Sequence, residues 1–219
     1  MTERSKLTDD LAKVDWLVAR MAIKAGEALD KALAALQTQD SLLAKSVKAG
    51  DAEIDALQTE IEDLAAVTLA TQQPVASDLR VLVAAFKVAS DFERAADYAV
   101  HLAKATKKFM GDPKSRQLER LAVMAEIGGR MIRKTSEAFT GRSPALARET
   151  AMLDDMIDRE HKAMMIESIE LMRVRPEDAE KAAKLITTSG YLERLGDHMT
   201  NACEAVVFMT TGTRVDLNE

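Results

Sequence analysis

The stretch Asp91-Phe92-Glu93-Arg94-Ala95-Ala96-Asp97 returns one hundred positions later as Tyr191-Leu192-Glu193-Arg194-Leu195-Gly196-Asp197, and that recurrence decides the fold. In each copy a glutamate and an aspartate stand four residues apart. Apolar residues precede them, and a nitrogen-bearing side chain follows four positions on, His101 in one copy and Asn201 in the other. Such spacing sets both carboxylates on one strip of a helix, where like charges cost about 0.2–0.5 kcal/mol. A repulsion written twice in matching context implies something positive for the acids to hold.

Outward from these stretches, apolar residues recur at three- and four-residue steps in six segments. The first is expected to open at Thr8 as N-cap and to carry Leu11, Val14, Val18, Met21, Ala25, Leu29 and Leu36. Gln37–Asp40 reads as a turn, with Asp40 capping a second helix that ends before Pro74 and has a weak point at Gly50. A third helix runs from about Val75 to Phe109, and Gly111-Asp112-Pro113 breaks the chain. The pattern then repeats, with helices over about Leu118–Phe139, Ala145–Met172 and Glu177–Met209, the last closed by Gly212. Met21 and Gly26 match Met124 and Gly129, and Asp51 and Asp55 match Asp154 and Asp158, all 103 positions apart. The expected fold is therefore all-α: two tandem antiparallel three-helix bundles, residues 1–111 and 112–219, forming a six-helix pseudo-symmetric protein.

Composition agrees with long packed helices: 47% hydrophobic residues and 30% charged, with few glycines, prolines or aromatics, which excludes a disordered acidic tail. No apolar run reaches the roughly 18–20 residues a membrane span requires, and the first residues lack a secretory signal, so a cytoplasmic address is expected. A net charge of −6 argues against nucleic acid as partner. The lone Cys203 is expected in the core, as are Trp16, Met21 and Met124.

Glu93, Asp97 and His101 fall on one strip of the third helix, and Glu193, Asp197 and Asn201 repeat it on the sixth. Each preceding helix supplies a second pair, Asp51/Asp55 and Asp154/Asp158, which an antiparallel neighbour can bring alongside. Clustered carboxylates with one His or Asn suit hard, oxygen-seeking ions such as magnesium, manganese, calcium or iron. Solvation is the plain alternative, with Arg94 or Arg194 bridging the acids and Asp51 merely capping a helix after Gly50. A di-metal carboxylate enzyme is a further alternative, but only Asp158 and His161 approach the required Glu-x-x-His spacing. His161 and His198 are candidates for phosphotransfer only if exposed. A third possibility is a structural helical protein.

Gln72-Gln73-Pro74-Val75-Ala76-Ser77-Asp78-Leu79-Arg80, then Lys87, then Asp91 to Asp97, resembles the first-repeat signature of the PhoU family, and Tyr191 to Asn201 resembles its second. The resemblance covers nearly the whole chain. It implies a non-enzymatic, cytoplasmic and often dimeric negative regulator of the phosphate-starvation response and phosphate uptake. Such a protein would link a phosphate ABC transporter, through its ATPase subunit, to a sensor histidine kinase. It also implies metal ions (iron, zinc, manganese or magnesium) at Glu93, Asp97, Glu193 and Asp197, with Asp51, Asp55, Asp154 and Asp158 as partners. The chain departs from the family pattern in having His101 where Asn is usual, and in reading Arg175-Pro176-Glu177-Asp178-Ala179 where the first repeat has Asp78-Leu79-Arg80. If Arg80 helps contact a partner, the halves are inequivalent there.

Overall fold

A computed structural model describes residues 3–109 and 116–218, with side chains from residue 6 onward. Among the described residues seven α-helices follow one another: α1 (Glu3–Thr38), α2 (Ser41–Gln72), α3 (Ala76–Ala105), α4 (Arg116–Thr140), α5 (Pro144–Ala151), α6 (Asp154–Val174) and α7 (Ala179–Thr211). There is no strand among the described residues. α1, α2 and α3 pack on one another as one bundle, while α4, α7 and the α5–α6 pair form the second. The bundles join along α3 against α7, with α1 against α4 beside them. One continuous core results, filled by Leu17, Met21, Leu29, Ile61, Leu82 and Phe92 on one side and Leu121, Met124, Phe139, Leu192 and Met199 on the other. The Gly111-Asp112-Pro113 break and the boundary at 111/112 lie outside the described residues.

The helix ends follow local chemistry. Asp40 caps α2, accepting from Leu42 N at 2.8 Å and Leu43 N at 3.0 Å. Ser143 caps α5 and Pro144 occupies its first turn. Gly212, at φ 77°, closes α7 in the left-handed conformation. Three expectations are corrected. α1 starts at Glu3 and runs through Thr8, and Asp10 two residues on accepts from Gln72 and Thr68 of α2. α2 passes Gly50 unbroken, so Asp51 caps nothing. The helix expected over 145–172 is interrupted at Met152–Leu153, where Leu153 N and Met156 N reach back only three residues, to Thr150 O and Leu153 O. Trp16 is also corrected: it is 56% exposed, with the Arg20 guanidinium 5.5 Å above its ring. Cys203, Met21 and Met124 are buried, and burial pushes the Cys203 thiol up to about 12.

Candidate functional site

The antiparallel packing of α2 on α3 brings Asp51 and Asp55 alongside Glu93 and Asp97, and α6 on α7 brings Asp154 and Asp158 alongside Glu193 and Asp197. The proximity is electrostatic as well as topological. Partial burial raises the Asp51 carboxyl above the usual range, helped by Asp55 and Asp97. Glu93 is raised by burial and then by Asp97, Asp55 and Asp51, against a lowering contribution from Arg94. In the second repeat Glu193 is raised by burial, Asp197 and Asp158, and Asp197 by burial and Asp158. Asp154 is the extreme case: burial first, then Asp197, Asp158 and Glu193, push it up to about 7 against a weak bond from Thr200.

The two groups are balanced differently. Arg94 reaches Asp97 Oδ2 at 3.0 Å and Glu93 Oε2 at 3.2 Å, the bridging arrangement expected of a solvated pair. Asp154 has Oδ2 3.4 Å from Thr200 Oγ1, while its buried Oδ1 accepts no hydrogen bond from any described residue. As the side chains stand, no three His, Cys, Asp or Glu among the described residues are gathered tightly enough to hold an ion. The donor chemistry nonetheless suits a hard cation: carboxylates that raise one another, and in the second repeat an orphaned buried oxygen.

His101 and Asn201 are drawn toward the seam between the bundles. The His101 ring stacks on Tyr191 of α7 with centroids 4.5 Å apart, although Asp97 and Asp51 still act on it, and burial and Lys104 lower its pKa. Asn201 lines a cleft of about 360 Å³ with Val83, Lys87, Glu204, Phe208 and Arg214. Sequence reasoning missed the seam itself. Asp91, 1% exposed, accepts from Lys87 Nζ at 3.0 Å and pairs with His198 Nδ1 at 2.9 Å. Tyr98 stacks on Tyr191 at 6.1 Å. A charged residue at 91, amid the buried positions Val88, Phe92 and Ala95, was the available signal. His161 Nδ1 lies 2.9 Å from Ser189 Oγ, and it and His198 are both half-buried and hydrogen-bonded through Nδ1. Arg80 Nε donates to Met209 O at 3.2 Å, tying α3 to the end of α7.

Known proteins agree with this architecture. The model of the PhoU domain matches twice, over residues 18–106 and 121–206. Among curated relatives, the phosphate-specific transport system accessory protein PhoU homolog of Clostridium acetobutylicum is 31% identical over 217 residues, 99% of each chain. The homolog of the same description from Caulobacter vibrioides is 33% identical over 93% of this chain and 89% of its own. The crystal structure of PhoU from Pseudomonas aeruginosa aligns with a TM-score of 0.88 at 28% identity, covering 94% of this chain and 99% of that one. The phosphate transport system regulatory protein PhoU from Streptococcus pneumoniae aligns equally well, with a TM-score of 0.88 at 28% identity over 96% and 99%. With two tandem domain matches and a relative 31% identical of which it covers 99%, the chain belongs to the PhoU family.

Proposed function

We propose that this protein is an accessory protein of a phosphate-specific transport system, a negative regulator of phosphate uptake and of the phosphate-starvation response. It acts in the cytoplasm as an adaptor, and as a homodimer, between the ATPase subunit of a phosphate ABC transporter and a sensor histidine kinase. The observation that carries this reading is the end-to-end correspondence, over 217 residues, with a relative named for that transport system. Two further facts support it. No helix among the described residues is long and apolar enough to cross a membrane, and the relatives are accessory and regulatory proteins rather than enzymes. The di-metal enzyme alternative falls with that second fact. A division at residue 111/112 into two repeats belongs to the same proposal. An affinity pulldown from phosphate-replete cells is expected to recover the transporter ATPase or the kinase; recovery of neither overturns the adaptor role.

The proposal extends to metal. Glu93, Asp97, Asp51 and Asp55 in one repeat, and Glu193, Asp197, Asp154 and Asp158 in the other, would hold iron, zinc, manganese or magnesium ions, with His101 and Asn201 at the margins. A bound cation supplies the positive charge that offsets the mutual repulsion of the acids. The side chains themselves crosslink α2 to α3 and α6 to α7 through it, stiffening the faces offered to partners. The raised carboxyls and the unpartnered Asp154 Oδ1 support this reading. Elemental analysis of protein purified without chelator tests it, and a metal-free result overturns it.

A further inference from the structure

Resting on the metal reading above, we propose that Gly196 makes the two acidic sites unequal. By leaving room for the Asp154 carboxylate, it places Asp154 as a ligand of the second site in a way that Asp51 does not match in the first.

Glycine in a helix interior is about 1 kcal/mol less favourable than alanine, so one in the middle of α7 requires a reason. Here the reason is local. A Cβ built on Gly196 would fall inside the Asp154 carboxylate, with Asp154 Cγ and Ile157 Cδ1 each at 3.2 Å. Three differences between the repeats act in the same direction. Position 96, the counterpart of Gly196, is a fully buried alanine that carries this Cβ. Position 100, the counterpart of Thr200, is a valine with no hydroxyl to offer. Asp51 stands inside the uninterrupted α2, whereas Asp154 opens α6 directly after the tightened turn at Met152–Leu153. The second repeat thus has a socket that seats a carboxylate with one oxygen bonded toward Thr200 and the other unpartnered. The first repeat has no such socket. The contrast with Gly128 in α4 is plain: a Cβ there would meet only Leu195 and Leu29 side chains.

The ligand class is a hard divalent cation, and manganese(II) is the probe. Titration of the metal-stripped full chain, followed by calorimetry and by the manganese paramagnetic signal, is expected to resolve two classes of site in the wild type, the tighter belonging to the second repeat. Gly196→Ala is expected to weaken the tighter class at least tenfold and leave the weaker one unchanged. Asp154→Asn, which adds no volume, is expected to weaken the same class. Equal classes in the wild type, or wild-type affinities in Gly196→Ala, overturn the inference and leave the metal reading standing. A wild type that binds no manganese overturns both. If Gly196→Ala loses its helical signal, Asp154→Asn decides: loss of the tighter class upholds the inference and its retention overturns it.

Discussion

At the scale of single residues, Asp154 sets a pH dependence. Its carboxyl stands at about 7 in the folded protein against 3.8 ordinarily. Between those values the native chain keeps a proton that the unfolded chain has released. The stability of the metal-free protein is therefore full below about pH 4, declines as pH rises toward 7, and levels off above. The shifts of Asp51, Glu93, Glu193 and Asp197 have the same sign and add to the slope. Thermal melts across pH 4–8 in chelator are expected to show this decline. Asp154→Asn is expected to flatten it and to raise the midpoint at pH 8 by roughly 2–4 °C, for a gain on the order of 1 kcal/mol. Asp97→Ala is expected to lower metal content while leaving the helical signal intact, with Arg94 retaining Glu93 as a partner. Unfolding of that variant without metal loss would make Asp97 structural instead.

At the scale of elements, the helices were legible wherever the relevant partners lie close in sequence. The Asp40 cap is such a case: its acceptor serves backbone donors two and three residues ahead. Asp40→Ala is expected to cost about 1 kcal/mol, measured as a shift of the urea midpoint. Thr8-Asp9-Asp10 carries the same cap chemistry, but α1 runs through it from Glu3, and Asp10 is bonded instead by Gln72, sixty-two residues away, a partner no local pattern records. The interruption before Asp154 was illegible for a related reason. Leu153 corresponds to Gly50, yet the glycine stays helical and the leucine, packed against the core, sits at the turn, the reverse of what propensity alone predicts. The acid pairs, their duplication and their convergence were all readable from spacing. The role of Gly196 was not, although its contrast with Ala96 stands inside the motif.

At the scale of the molecule, the seam between α3 and α7 holds the two bundles together, and its buried charge is what a mutation would expose. His198→Ala leaves Asp91 with Lys87 as its one retained partner and is expected to cost on the order of 3 kcal/mol in chemical denaturation. Replacing Asp91 and His198 together is expected to cost less than the sum of the single changes, the mark of a direct interaction. A seam indifferent to His198→Ala would assign its strength to the apolar flanks of α3 and α7 alone.

Positions 91 and 191 are counterparts, as are 98 and 198, so the seam makes one crossing twice: Asp91 meets His198 in a carboxylate–imidazole hydrogen bond, and Tyr98 meets Tyr191 as a ring stack. A tandem of two first halves would set Asp91 against a tyrosine at both crossings. A tandem of two second halves would set Tyr191 against a histidine at both. Neither restores the carboxylate–imidazole bond or the matched stack. The duplicated halves have become complementary rather than interchangeable, and four side chains suffice to mark each as the other's mate.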